Sequence, residues 1–434
     1  LEGKSLVLRE TKRELGEQDS ILFIKKIKTI QFSLNQPLPF ELINSVTVLR
    51  RKKVSISVCL AIFTNHFRIH QNLFMKVAIV GTGLIGNVHA QAIKGLGHEI
   101  VVAVNSSMPK SEAFAAQWSV PTFGIDFQLA LKEEVDCVHI CTPPALHFAM
   151  IKAALLANKH VVCEKPMCLE LQEAQEVFEL AQQQNRVAAV VFNVRYHQAC
   201  MEAKKIIAQP EFGKVLLVHG HYLQEFHALP DALGWRYQPE LAGKMRAVTE
   251  IGSHWIDLMR FWTGLEIAAI SANLGTYYPQ RYLENGIMHA DDASGRTPMN
   301  LDSEDAAVIS FRCTNGAIGN VLLSEISHGR TNQLTIEVTG TQQSLWWNNE
   351  QPYQLHQGKG KFQGARTQSL SFSGGFAETF GNLFGEVYAA IQAGEAPENP
   401  AYPTFKDGYI NTVICEAIYS SARQESKWIE IQSI

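Results

Sequence analysis

The chain contains no C-x-x-C pair, no histidine or cysteine grouping at zinc-ligand spacing, and no run of about 18 consecutive apolar residues. Its eight cysteines, at positions 59, 137, 141, 163, 168, 200, 313 and 415, stand singly, several of them inside apolar stretches. That is the pattern of reduced, buried thiols and favours a cytoplasmic setting. A membrane-spanning helix is not expected. Charge of one sign is lacking too: 38 Lys and Arg face 42 Asp and Glu, for a formal net charge of −4. General attraction to nucleic acid or to an anionic membrane is thereby excluded, and any basic site must be local. No internal repeat interrupts the chain.

What is present is enough for a large core. Apolar residues make up 46% and charged residues 18% of 434 positions, the balance of a globular enzyme, and the length suggests two or three domains. Residues 1–74 stand apart. They carry twelve Lys and Arg against six Asp and Glu without a sustained helical or alternating period. Within them "RRKKVSISVCLAIF" imitates a secretory signal, but "TNHFRIHQNLF" follows where a small-residue cleavage site belongs. The expectation is a translated leader or a misassigned start, outside the native fold.

From Met75 the pattern changes. "MKVAIVGTGLIGNVHAQAIKGLGHEIVVAVNSS" places a short apolar strand, Val77 to Val80, before Gly81-x-Gly83-x-x-Gly86, then a helix, then a second apolar strand from Ile100 to Val104. A bare glycine triplet is weak evidence, but strand, glycines, helix and strand within about 30 residues form a dinucleotide-binding fingerprint. Gly81 permits the tight turn, Gly83 lets the backbone approach a pyrophosphate, and Gly86 lets the helix sit close to the strand. Thr82, Leu84 and Ile85 complete the loop, whose helix N-terminus faces the phosphates with free N–H groups. Roughly 20 residues on, where a carboxylate usually binds the adenosine ribose, stands Asn105, followed by Ser106, Ser107 and Lys110. Nothing there repels a 2′-phosphate, so the balance leans to NADP with NAD open. A simple polar turn explains these residues about as well.

Strands and helices continue to alternate. "VDCVHICTPPALHFAMIKAALLANKHVVCEKPM" gives a strand at Cys137 to Cys141, a helix from about Ala145 to Ala157 and a strand at His160 to Cys163. A helix over Leu169 to Gln184 leads to the strand "VAAVVFNV" at 187–194. This is a doubly wound parallel sheet built by crossovers. Ligands bind beyond the carboxyl ends of such strands, so Thr142, Pro143, Glu164, Lys165, Asn193 and Arg195 are expected on one rim.

Four linked motifs, "GTGLIG", "CTPPALH", "EKP" at 164–166 and "EIGSHWID" at 250–257, carry a resemblance. From Met75 onward the chain resembles the glucose-fructose oxidoreductase, inositol dehydrogenase and rhizopine-catabolism (Gfo/Idh/MocA) family. The resemblance implies a Rossmann domain followed by an α/β domain with a large, open, mostly antiparallel sheet. It also implies a homodimer or homotetramer formed through that sheet. The expected division is 75–198 for the dinucleotide domain and 199–434 for the substrate and oligomerisation domain.

The residues themselves agree. "KVLLVHGHYLQEF" at 214–226 reads as a long strand, and "DAAVISFRCTNGAIGNVLLSEIS" as two strands joined at Asn315-Gly316, a strong hairpin signal. "QLTIEVTGTQQSLWWNN" reads as a further antiparallel pair. Polar or glycine-rich stretches at 280–304 and 356–375 read as surface loops, the second able to move over a site.

Hydride transfer from a sugar-like alcohol needs a group for the hydroxyl proton and a group for negative charge on that oxygen. His254 suits the first and Lys165, whose backbone the following proline restricts, the second. By resemblance these are the positions of the family's catalytic histidine and lysine. "MRAVTEIGSHWIDL" reads as a helix, so Glu250 and His254, four apart, share a face with Asp257 three further on. Most relatives carry aspartate at the place of Glu250, whose expected role is to orient His254 or bond a substrate hydroxyl. A bland helical ion pair is the competing explanation. Metal binding falls short, because no second histidine or cysteine cluster joins these residues. Asn193, Arg195 and Tyr196 are candidates for substrate hydroxyls, although the arginine equally suits a structural carboxylate. His147 is a candidate for the cofactor ribose, with capping or packing as the alternative. Trp235 and Arg236 are candidates for a sugar-stacking wall, with core packing as the alternative for the indole.

The function expected is therefore hydride transfer between a nicotinamide cofactor and a sugar, polyol or related cyclic alcohol or ketone. Two other classes share the fold: a glycosidase using transient oxidation, which would release free sugar without net cofactor change, and a non-catalytic cofactor-sensing regulator. Intact Lys165 and His254 argue against the last.

Overall fold

The computed structural model describes residues 74–228, 232–293, 295–360, 362–370, 375–394, 397 and 399–432; the expectations for 1–73 lie outside them. Strands β1 (Lys76–Val80), β2 (Glu99–Val104), β3 (Thr122–Gly124), β4 (Cys137–Ile140), β5 (His160–Cys163) and β6 (Ala188–Val190) form one sheet in the order β3-β2-β1-β4-β5-β6. Every pairing is parallel. Helices α1 (Leu84–Gly95), α2 (Met108–Trp118), α3 (His147–Leu156) and α4 (Leu171–Gln183) supply the crossovers. The strands are mostly apolar because both faces are covered, and Val77, Ala78 and Ile79 are wholly buried. The strand order reverses between β1 and β4, and a crevice opens there at their carboxyl ends.

The reading of 187–194 as one strand needs correction. Pairing stops at Val190, and Asn193–Tyr196 form a 3-10 turn that leaves the sheet. Helix α5 (Gln198–Ile207) then leads into the second region.

That region holds β7 (Val215–Leu223), β8 (Ala232–Leu233), β9 (Ile267–Gly275), β10 (Gln280–Glu284), β11 (Ile287–His289), β12 (Thr297–Asn300) and β13 (Ala306–Cys313). It continues with β14 (Ile318–Ser324), β15 (Gln333–Gly340), β16 (Gln343–Asn348), β17 (Gln354–Lys359), β18 (Ala365–Ser369) and β19 (Ile429–Glu430). Nine strands make an open sheet, β18-β17-β16-β15-β7-β14-β13-β9-β19, antiparallel except where β14 meets β7. Alternation along β13 follows the strand period: Ala307, Ile309, Phe311 and Cys313 are buried, whereas Val308 points outward. The β13–β14 turn is the expected one, with Gly316 at φ +88°. Helix α6 (Ser253–Thr263) packs its apolar side on the inner face with α5, around Trp255, Trp262 and Phe311.

The stretch 280–304, expected as a loop, instead forms β10 to β12, which join β8 in a four-stranded sheet. Hydrogen-bonded pairing of Tyr282, Leu283 and Glu284 with Ile287 to His289 satisfies backbone groups in a segment too polar for a core strand. Part of 356–375 likewise pairs, as β17 and β18.

Two late helices return to the first sheet. In α7 (Phe376–Ala393), Phe380, Phe384 and Tyr388 recur every four residues and pack against Val77, Ile79 and Ile93. Helix α8 (Phe405–Ala422) starts at a reciprocal cap between Thr404 and Asp407 and packs Phe405 under β6. Among the described residues no helix is long and apolar enough to cross a membrane.

Candidate active site

A cavity of about 930 Å³ lies at the carboxyl ends of β1, β4 and β5 and extends to Trp235, Arg236, Thr249 and Glu250 of the second region. One end is made by the glycine loop. Gly81 has φ +90°, and a Cβ there would lie 2.5 Å from the carbonyl oxygen of Cys141. A Cβ on Gly86 would lie 2.2 Å from the carbonyl oxygen of Gly81, so helix and strand approach as the spacing requires. Over Gly83 nothing stands within 4 Å, which leaves the room a pyrophosphate needs. Gly83 caps α1 without any side-chain hydrogen bond, so its first-turn N–H groups remain for an anion. Leu84 is 80% exposed beside them and lines the cavity.

Asn105 connects the loop to the next strand. Its amide donates to Thr82 Oγ1, and its Oδ1 accepts from the Ser106 backbone N–H at 2.6 Å. Asn105, Ser106 and Lys110 line the cavity with Thr82 and Ile85. Ser107 does not; it is the N-cap residue of α2. Thr142 and Pro143 line the opposite side, with Glu164 and Lys165 at the inner end. His147 does not reach this wall. Wholly buried, it places Nδ1 2.9 Å from the carbonyl oxygen of Pro166 and Nε2 2.8 Å from that of Thr142, joining the two loops from beneath. Burial lowers its pKa.

Lys165 precedes a cis peptide to Pro166. Its Nζ donates to the carbonyl oxygen of Glu250 at 2.7 Å, which ties the end of β5 to the segment before α6. Burial lowers the Lys165 pKa against the opposing pull of the Glu250 and Glu164 carboxylates. The segment holding Glu250 is not the regular α-helix expected: Val248–Gly252 is a π-helical turn that runs into α6. Such turns concentrate at functional sites. His254 follows one turn later, partly buried, with Nδ1 sealed away from solvent and without a hydrogen-bond partner. Burial first, then the Lys165 charge, hold this imidazole well below the usual histidine range, so it is neutral. His254 is not itself among the residues lining the cavity.

The Glu250 carboxylate turns to other partners. Arg236 Nε lies 2.9 Å from its Oε2 as an ion pair, although the N–H is not aligned for a hydrogen bond. His227 Nε2 lies 3.9 Å from the same oxygen. Burial raises the Glu250 pKa, but Arg236, His227 and Lys165 outweigh it and hold the group below the carboxylate range. Arg236 also stacks on Trp235, with Cζ 4.8 Å from the ring, so the two expected wall residues meet.

Three other expected residues are turned elsewhere by the 3-10 turn after β6. Arg195 is buried in an ion pair with Asp257 at 2.5 Å and with Asp407 at 3.1 Å. Asn193 donates to Thr379 Oγ1, and the Tyr196 hydroxyl donates to the carbonyl oxygen of Ala401. Asn193 is thus engaged with α7, Arg195 with α6 and α8, and Tyr196 with the backbone ahead of α8, and none of the three lines the cavity.

Sequence reasoning missed His227 and Glu325. Glu325 is wholly buried, with neither oxygen hydrogen-bonded, and burial followed by the Glu250 charge raises its pKa well above the ordinary value. His227, Glu250 and Glu325 bring ligand atoms within 4.8 Å of one another. Arg236 beside Glu250, and Arg246 Nε 3.5 Å from Glu325, already supply positive charge there, so a cation would meet two guanidinium groups. No local motif marks this cluster, because its three members come from three separate stretches.

Residues 75–192 match the family described as "Oxidoreductase family, NAD-binding Rossmann fold", and residues 200–346 match "GFO/IDH/MocA C-terminal domain". Levoglucosan dehydrogenase of Pseudarthrobacter phenanthrenivorans is 30% identical over 397 residues, covering 84% of this chain and 99% of that protein. A D-xylose 1-dehydrogenase [NADP(+)] of Haloarcula marismortui is 26% identical over 209 residues, 46% of this chain and 58% of that one. The solved levoglucosan dehydrogenase in complex with NADH and L-sorbose superposes with a TM-score of 0.76 at 28% identity, over 82% of this chain and 99% of that one. The chain belongs to the Gfo/Idh/MocA family of oxidoreductases, with an NAD-binding Rossmann domain at residues 75–192.

Proposed function

We propose that this chain oxidises a CH–OH group of a sugar or sugar-derived polyol, the substrate entering the cavity between Lys165 and the Trp235–Arg236 wall. One observation carries the reading: a single cavity runs from the open space over Gly83 to Lys165, Glu250 and Arg236. The nicotinamide, when bound, supplies the hydride acceptor. Lys165 Nζ holds the reacting oxygen and stabilises negative charge developing on it. His254 is the proposed base: kept neutral by burial, it takes the hydroxyl proton at Nε2, the ring nitrogen not sealed into the protein. Glu250, held ionised by Arg236, accepts from a neighbouring substrate hydroxyl, and Arg236 donates to another. Its engagement with Arg236 supports this role over orientation of His254.

Levoglucosan and D-xylose, named for two relatives, are the first substrates to try. At the ribose end, Ser106 and Lys110 in the cavity wall, with no carboxylate at Asn105, support NADP over NAD. Exposed Val308, Ile318 and Leu322 on the outer face of the large sheet support a homo-oligomer formed there. Titration of the purified chain with NADPH and NADH, followed by a panel of anhydrosugars, aldoses and inositols at the reduced-nicotinamide absorbance, tests the reading. Tighter NADPH binding and turnover of at least one substrate are expected. Binding of neither cofactor, or no turnover across the panel, overturns it.

A further inference from the structure

Behind Glu164 lies a row of buried polar side chains that the reaction above does not use. Glu164 Oε1 is 3.0 Å from His89 Nε2, His89 Nδ1 is 2.9 Å from His139 Nδ1, and His139 Nε2 is 2.8 Å from the Tyr388 hydroxyl. Glu164 turns its other oxygen, Oε2, to the backbone N–H of Lys165 at 3.2 Å. His89 and His139 are wholly buried and Tyr388 nearly so. Phe384 covers both imidazoles, with ring centroids 4.8 Å from His89 and 4.7 Å from His139. Cys141 Sγ also lies 3.3 Å from His89 Nδ1, a weak thiol contact that either proton direction can use; the strong buried donors find their acceptors within the row.

The two ends decide which way the protons point. A neutral imidazole carries one donor and one acceptor. If Glu164 is a carboxylate it only accepts, so His89 donates from Nε2 and must accept at Nδ1. His139 then donates from Nδ1 and accepts at Nε2, and the Tyr388 O–H supplies that last bond. Every donor is satisfied. In the reverse direction Glu164 must be protonated, the Tyr388 hydroxyl oxygen accepts from His139, and its O–H finds no acceptor among the described residues. An unmet buried hydroxyl is disfavoured, and the three strong bonds of the row are otherwise equal in number in the two directions. Burial, then the neighbouring His89, lowers the His139 pKa well below the histidine range, in keeping with a neutral ring.

We infer that Tyr388, His139 and His89 form a one-way hydrogen-bond chain that fixes the Glu164 carboxylate and, through its bond to the Lys165 N–H, the position of the lysine. They are positioning residues: none lines the cavity, whereas Glu164 and Lys165 do. The chain joins the helix α7 of the far C-terminal part to the catalytic end of β5, which gives that late helix a part in the reaction. This rests on the proposed role of Lys165.

Nitrogen-15 shifts of the imidazoles, assigned by the loss of signals in His89→Gln and His139→Gln, read the direction without any turnover. The expected pattern is His89 protonated at Nε2 only and His139 at Nδ1 only. The opposite tautomers, or an imidazolium at either ring, overturn the chain even if the substrate reading stands. In turnover, His139→Leu, which can neither accept nor donate, is expected to lower kcat roughly ten- to a hundredfold with substrate KM within about twofold. His139→Gln, whose amide can accept from Tyr388 and donate to His89, is expected to recover most of that loss. Wild-type kcat in a folded His139→Leu protein, or equal loss in the Leu and Gln variants, overturns the positioning role.

Discussion

The two ends of the cavity are built differently. At the dinucleotide end, backbone does the work: Gly81, Gly83 and Gly86 come from one short loop, and their spacing alone fixes a turn, a gap and a close contact. At the proposed substrate end, side chains take that place: Lys165, His227, Arg236, Glu250 and Glu325 arrive from distant stretches and balance one another's charge. The first kind of site tolerates little change of backbone but little depends on exact charge. The second depends on a sum of charges that removal of any single member unbalances.

That contrast can be broken most sharply at the substrate end. His254→Ala is expected to lower kcat about 10²–10⁴-fold, and Lys165→Met about 10²–10³-fold, with NADPH affinity nearly unchanged in equilibrium titration. A large loss of cofactor binding in either variant would erase the division between the two ends. At the dinucleotide end, Gly86→Ala drives a methyl into the Gly81 carbonyl and is expected to cost about 1–3 kcal/mol in urea melts. Gly83→Ala, with open space above it, is expected to keep its stability and lose cofactor affinity instead. Equal stability loss in both would show that the gap over Gly83 is not reserved for a ligand.

Glu250→Gln leaves Arg236 without its ion pair and is expected to lower kcat/KM roughly tenfold. An unchanged value would assign the Arg236–Glu250 pair to structure alone. The smallest effect expected is in pH dependence. Because His254 is held well below its usual 6.5, it stays a base as pH falls through that value. The acid limb of kcat for alcohol oxidation should therefore lie below pH 6.5; a limb at 6.5 or above would place His254 in contact with bulk water or remove it from the base role.

The same contrast explains what the sequence disclosed. Gly81, Gly86 and the parallel strands were legible because spacing within one loop, and continuous apolar runs, have direct steric meanings. The large sheet was legible from alternation and from Asn315-Gly316. Asn193, Arg195 and Tyr196 were misplaced because β6 ends at Val190, and a run of "VAAVVFNV" contains no residue that marks where hydrogen bonding stops. Residues 280–304 looked like a loop because the few apolar residues that meet in this small sheet, Leu283, Met288, Met299 and Leu301, are scattered among polar ones without a sustained alternation. His227 and Glu325 were invisible for another reason. Their meaning arises only when β7 and β14 bring the ends of remote segments beside Glu250. Tyr388 was equally hidden, since nothing in its own helix points to a histidine 249 residues earlier.

The most direct test follows hydrogen itself. Single turnover with carbon-deuterated levoglucosan, xylose and myo-inositol, and mass analysis of the reduced cofactor, would show whether the substrate carbon delivers its hydrogen at this site. The account predicts one deuterium in the cofactor with at least one substrate in the wild-type protein. It predicts almost none on the same timescale in His254→Ala and Lys165→Met, although both still bind cofactor. Deuterium transfer at the wild-type rate in those two variants would contradict it.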